Sequence, residues 1–223
     1  MRQRWPPQLR SAIMPSDIGP ARALVFRLSI MTPLSARGSI EMNALLIIDL
    51  QVGAPDDPPR LDLARVMERI NQLAQATRES DGLVIFIQHD GPPGHRLEPQ
   101  TPGWELLPEL DRCPADVIVR KRASDAFYET GLDEVLKQHG VDQLLVTGCA
   151  SEMCVDTAIR AAASRGYQVV AASDGHTTRE KPHLDAAAII THHNWVWEHL
   201  IMPDREVKVL SSSQLLNALS VTT

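Results

Sequence analysis

The chain has 223 residues, 43% of them hydrophobic and 22% charged, and a formal net charge of −6. That length buries one substantial core rather than two. No stretch approaches the ~18 consecutive apolar residues of a membrane span, and the acidic balance argues against a nucleic-acid partner.

The charge is unevenly spread. Residues 1–41 carry six arginines against Asp17 and Glu41, with five prolines, leaving 16 basic and 26 acidic side chains to the rest. This segment has no hydrophobic period. It reads as a disordered arm, as upstream sequence before a start at Met42, or as an Arg-rich targeting segment; the first two are the expectation. It lacks the apolar core and small-residue cleavage site of a secretory signal. Residues 42–223 then form the single domain.

From Met42 onwards, short apolar runs alternate with helical patterns. Ala44–Leu50 predicts a buried strand, and Leu63, Val66, Ile70, Leu73 and Thr77 fall at helical spacing after it. Leu83–Gln88 predicts the second strand. His89–Asp116 follows as a long irregular connection rich in Pro and Gly, and loops of that length commonly wall active sites. Val117–Val119 predicts the third strand. Leu132, Val135 and Leu136 mark a short helix stopped at His139-Gly140. Gln143–Thr147, Gln168–Ala172 and Glu206–Leu210 complete six strands, with helices over 153–165, 183–197 and 211–220. Continuous apolar strands alternating with helices imply a mainly parallel six-stranded sheet covered on both faces, a three-layer α/β/α fold.

Ligands in such sheets bind beyond the carboxyl ends of the strands. The first run ends at Asp49 and the third at Lys121, while the fourth leads through Gly148-Cys149-Ala150-Ser151 to Cys154. Each has a plain structural explanation by itself. A strand-end Asp caps a turn, Lys121 in the run Arg120-Lys121-Arg122 is a solvated charge, and a cysteine in an Ala-rich helix is a small core residue. At one edge of one sheet, however, acid, amine and thiol make a nucleophile that can be switched on. A helix N-terminus and an ammonium are both expected to lower the thiol's pKa, and backbone N–H groups there can hold an oxyanion. The cysteines at 113, 149 and 154 are odd in number and lack CxxC spacing, which points to a reducing, cytoplasmic compartment.

The segments ALLIIDLQ, KRASDAFYETGLDEVLKQHGVDQLLVTG and CASEMCVDTAIRAAASRGYQVVAASDG give the chain, from about Met42 to Leu216, a resemblance to the isochorismatase-like hydrolase superfamily. The resemblance implies Asp49, Lys121 and Cys154 as catalytic residues and a non-prolyl cis peptide at Cys149-Ala150. It implies oxyanion-hole N–H donors at Ala150 and Cys154, and a homo-oligomer. Members that cleave the vinyl ether of isochorismate lack the cysteine, so Cys154 points to a small amide, ureido or lactam C–N bond, opened through a thioester. Gln51, His89, Trp104 and Phe127 are the candidates for the substrate pocket. No cofactor is expected. Nicotinamidases of the superfamily carry an Asp-x-His metal site after the second strand. Here Gln88-His89-Asp90-Gly91, then His95, departs from that order, so no metal is expected, with His89, Asp90 and His95 as the alternative ligand set. Asp174 is expected to be structural, and Cys113 and Cys149 bystanders.

Other chemistries fit less well. Phosphoryl transfer through Asp49 needs a second acid two residues on, and position 51 is Gln. Dinucleotide binding needs GxGxxG after the first strand, which Gln51-Val52-Gly53-Ala54-Pro55 does not supply. A scaffold without catalysis is the remaining alternative of a different class.

Overall fold

The structure is a computed structural model that describes residues 44–54, 56–203 and 205–220. The expectations for residues 1–41 lie outside the described residues. In β1 (Ala44–Ile48) alternate residues turn to opposite sides, Ala44, Leu46 and Ile48 to one core and Leu45 and Ile47 to the other. All five are buried. A strand apolar at every position needs cover on both faces. One face is covered by α1 (Leu63–Glu79) and α5 (Ser212–Ser220), the other by α2 (Leu132–Gln138), α3 (Asp156–Ser164) and α4 (Ala186–Glu198). Val66, Met67, Ile70, Leu73, Ala74 and Thr77 form the buried side of α1, on the spacing read from the sequence. Among the described residues, no helix is long and apolar enough to cross a membrane.

The other strands are β2 (Leu83–His89), β3 (Val117–Lys121), β4 (Gln143–Cys149), β5 (Gln168–Thr177) and β6 (Val207–Leu210). They form one sheet in the order β3-β2-β1-β4-β5-β6. Every pairing is parallel, so the sheet is wholly rather than mainly parallel. The chain moves outward from β1 to β3, returns to β4, and then moves outward the other way. The order reverses between β1 and β4, which opens a crevice at their carboxyl ends.

Three local features differ from the sequence expectations. The helix read over 153–165 begins as a five-residue π-helical turn, Ser151–Val155, before α3. The helix read over 183–197 begins at Ala186, because the Asp185 side chain accepts the Ala188 N–H at 2.7 Å and caps it there. Finally, β5 continues past Ala172 to Thr177 through a register excursion, since Val146 pairs with Ala171 but Gly148 with His176. Asp174 lies in that excursion and accepts the Ser212 N–H (2.7 Å) and hydroxyl (2.9 Å) at the start of α5. It also pairs with Arg69 of α1 at 3.3 Å. Its role is to lock helix to sheet.

Gly148 decides how closely β1 and β4 approach. It has φ +116°, and a Cβ there would lie 2.3 Å from Ile48 O and 2.5 Å from Ile48 N, both backbone atoms of the neighbouring strand. No side chain fits. Gly148→Ala is therefore expected to destabilise the fold by more than ~2 kcal/mol. Gly131→Ala, where nothing lies within 4 Å of the added atom, should stay within ~1 kcal/mol. Urea unfolding of the two variants checks this; equal midpoints would show that the strands can part to admit a methyl group.

Candidate active site

Asp49 leaves β1 in the left-handed region, with φ 50°, a conformation more common for Asp than for most non-glycine residues. Its N–H donates to Ile87 O at 2.9 Å. This bond continues the β1–β2 ladder by one rung, and the left-handed φ then turns the chain off the sheet. Lys121 is the last residue of β3, opposite His89 of β2. Its side chain is fully buried. Nζ donates to Asp49 Oδ2 at 2.7 Å, to Ala123 O at 3.0 Å and to Cys154 Sγ at 3.3 Å. All three hydrogens of the ammonium thus have partners, and two of those partners are the acid and the thiol. Three residues far apart in sequence meet at one nitrogen.

The charges order themselves around that nitrogen. Burial works to lower the Lys121 pKa, but the Asp49 carboxylate and the Cys154 sulfur outweigh it, so the net direction is upward and the ammonium persists. The thiol behaves otherwise than expected. Burial first, and then the negative charge of Asp49, push Cys154 up to about 12 against the pull of Lys121. The expectation of a lowered pKa is corrected: desolvation of a largely enclosed sulfur exceeds the help it receives from one ammonium shared with a carboxylate. At neutral pH Cys154 rests as a thiol. Asp49 Oδ1 is buried and meets no hydrogen-bond donor among the described residues, while Oδ2 is occupied by Lys121.

Cys154 lies within the π-helical turn, partly exposed. The Cys149–Ala150 peptide before the turn is cis, as the resemblance implied. Cys149 is buried, and burial pushes its thiol up to about 12. Cys113 is exposed and distant in the chain from these elements.

The four pocket candidates divide. Gln51 is fully buried. Its amide donates to His89 O (3.0 Å) and Trp104 O (2.8 Å) and accepts the His89 N–H (2.9 Å). It braces the long loop against β2 and offers no exposed surface, which corrects its assignment to the pocket surface. Phe127 is likewise corrected. It packs in the core with its ring 6.0 Å from that of Tyr167 and the Arg165 guanidinium 4.5 Å over it. His89 is half-buried, and burial, followed by the Lys121 charge, holds its imidazole below the ordinary pKa. Trp104 is partly exposed, its indole N–H donating to Asp90 Oδ1 at 2.8 Å and the Arg120 guanidinium 5.1 Å from its ring centre. Asp90 also binds Arg120 at 2.7 Å. That carboxylate is therefore occupied by two donors, and Nδ1 of His95 accepts the Leu97 N–H at 3.1 Å. Among the described residues no group of three or more His, Cys, Asp or Glu is arranged to hold a metal ion. A cleft of about 420 Å³ opens beside Lys121, with Asp90, Arg120, Arg122, Tyr128 and Glu129 in its lining. The sequence reading did not anticipate Arg120, Tyr128 or Glu129 there; their positions directly after β3 were the available signal.

Comparison with known proteins shows the family. The isochorismatase domain model matches residues 43–195. Two streptothricin hydrolases from Streptomyces noursei are 39% and 37% identical over 145 and 155 residues, or 63% and 68% of this chain. The matches cover 51% and 61% of those proteins, so the chain spans about half to three-fifths of the length of these relatives. The crystal structure of an isochorismatase family protein aligns at 34% identity with a TM-score of 0.68, covering 75% of this chain and 97% of that one. Since the domain model extends over well more than half of the residues and takes in Asp49, Lys121 and Cys154, the chain belongs to the isochorismatase family.

Proposed function

We propose that the protein is a cysteine-dependent hydrolase of a small amide, ureido or lactam C–N bond. The observation that carries this reading is the single buried ammonium that joins the Asp49 carboxylate and the Cys154 sulfur at 2.7 and 3.3 Å. The names of the two streptothricin hydrolases support a hydrolytic reaction and add streptothricin to the substrates worth testing.

The chemistry follows from the resting charges. Cys154 waits as a neutral thiol, and its proton passes to Asp49 as the sulfur attacks the substrate carbonyl carbon. The carbonyl oxygen becomes an oxyanion, for which the N–H groups of Ala150 and Cys154 are the proposed donors. Collapse of the tetrahedral species breaks the C–N bond. The nitrogen leaves with the proton held on Asp49, and a thioester remains. Asp49, again a carboxylate, takes a proton from water as the hydroxide attacks the thioester. The acid product departs and the proton returns to sulfur. Lys121 keeps its charge throughout, orients both partners and stabilises the developing thiolate. His89 and Trp104 form the proposed substrate wall beside the cleft.

A panel of primary amides, ureido acids, lactams and streptothricin, assayed for released ammonia or new amine, tests this reading. Cys154→Ala is expected to abolish turnover with an unchanged melting temperature; normal hydrolysis by this variant would refute the mechanism. Asp49→Asn should lower kcat by ~10²–10⁴-fold, the range for one acid–base group. Lys121→Met should remove turnover and also cost ~3–5 kcal/mol of stability, because the Asp49 carboxylate is left buried without its counter-charge. Wild-type stability in the Lys121→Met protein would show that the ion pair is dispensable.

The order of His89, Asp90 and His95, and the engagement of Asp90 by Arg120 and Trp104, favour the metal-free reading over a metal-assisted amidase. Dialysis against EDTA is expected to leave turnover unchanged. Stoichiometric zinc or iron in the purified protein, with activity lost on its removal and regained on its return, would reverse that assignment.

A further inference from the structure

Behind the nucleophile lies a chain of buried hydrogen bonds that the reaction scheme does not use. Ser151 Oγ is 2.7 Å from His176 Nδ1, and His176 Nε2 is 3.0 Å from Asn194 Oδ1. Asn194 Nδ2 donates to Ser173 O at 2.9 Å. Ser151 and His176 are buried. A backbone carbonyl only accepts, so the Asn194 amide must present its nitrogen to Ser173 and its oxygen to His176. His176 therefore carries its hydrogen on Nε2. Nδ1 is then an acceptor, and the Ser151 hydroxyl is the donor. Every polarity in the chain follows from one carbonyl.

The polarity matches that of a serine activated by histidine, but a fully buried hydroxyl meets no substrate. Its position offers another role. Ser151 opens the π-helical turn that holds Cys154. At the other end of the turn Asp156, the first residue of α3, accepts the indole N–H of Trp197 at 2.8 Å. Trp197 and Asn194 both belong to α4. The five-residue turn is pinned at both ends to one helix, and its sulfur is held between them.

We infer that Ser151, His176 and Asn194 form a positioning relay that sets the π-helical turn so that Cys154 Sγ meets Lys121 and Asp49. The inference rests on the reading of Cys154 as the nucleophile. His176 must stay neutral for the relay to hold, since a proton on Nδ1 removes the acceptor that Ser151 needs. Burial is the main cause that moves its pKa from 6.5 to about 4. The Asn194 contact and the Asp174 carboxylate oppose that shift, while His193 of α4 adds to it. Trp197 packs edge-on at 5.0 Å. The unfolded chain takes up this proton near the ordinary value and the folded chain only near the lowered one. Between them the unfolded state binds more protons, so stability falls as pH drops.

The test uses iodoacetamide and the intact chain, with labelling at each cysteine read by peptide mass spectrometry between pH 7 and 10. In the native protein Cys154 should react slowly and Cys149 not at all. Ser151→Ala should free the turn, moving the Cys154 thiol towards its ordinary pKa and speeding its alkylation at pH 8 by roughly tenfold per unit lost. Cys149 should remain silent. His176→Asn places an amide oxygen where Nδ1 stood and should keep the native Cys154 profile. It should also flatten the decline in melting temperature between pH 6.5 and 4; His89 contributes equally to both proteins. If Ser151→Ala does not fold, Asn194→Leu is read in the same assay. Superimposable Cys154 profiles for native and Ser151→Ala protein would overturn the relay. So would labelling of Cys149 in step with Cys154, which would mean that the serine merely holds the fold closed. Neither arm measures turnover, so an amidase reading that fails at Cys154→Ala remains distinguishable from a relay that fails here.

Discussion

A lysine ammonium buried without exposure is the constraint around which this protein is organised. Moving such a charge out of water is costly unless it is paired and fully hydrogen-bonded, and Lys121 meets the requirement with a carboxylate, a carbonyl and a sulfur. Those partners come from three separate connections at the carboxyl edge of the sheet. The strand order that places β1 between β2 and β4, the left-handed turn at Asp49 and the glycine at 148 all serve to bring them within reach. Removing either member of the Lys121–Asp49 pair leaves the other charge enclosed without its counter-charge.

The same enclosure sets the timing of the proposed chemistry. An exposed, low-pKa cysteine would be a standing thiolate, open to any electrophile. Here burial and the neighbouring carboxylate keep sulfur protonated, and Asp49, the proposed base, is already beside it. The nucleophile is generated as the carbonyl arrives. In the proposed reaction, catalytic power lies in the arrangement of Asp49, Lys121 and Cys154 rather than in the sulfur alone.

Much of this was legible in the sequence. A strand buried on both faces has to be apolar throughout, so Ala44–Ile48 announced a parallel sheet, and Val66, Ile70 and Leu73 announced the helix that covers it. Asp49, Lys121 and Cys154 could be singled out as candidates because strand ends are where open α/β sheets carry ligands. What the sequence concealed depends on contacts between distant segments. Gln51 reads as a pocket residue until its amide is seen bonded to His89 and Trp104. Phe127 reads the same way until Tyr167 stacks on it. The direction of the Cys154 shift depends on how far sulfur is enclosed, which no spacing reveals. His176 lies beyond the predicted end of its strand, in a register excursion that hydrophobic alternation does not encode.

β3 is one of the two edge strands of the sheet and, among the described residues, is held by β2 through five registered pairs from Val117 to Lys121. Successive residues of a strand face opposite sides, so a slip of one position would exchange Lys121 for Arg120 or Arg122. Both carry the same charge, and neither guanidinium could take the place of a compact ammonium with three donors. The basic run is thus a hazard of misalignment written beside the residue that matters most. Arg120 is drawn outward by Asp90, and the Asp90 N–H donates to Lys121 O at 2.8 Å. One aspartate grips the wrong residue by its side chain and the right one by its backbone, and so proofreads the register of the edge strand.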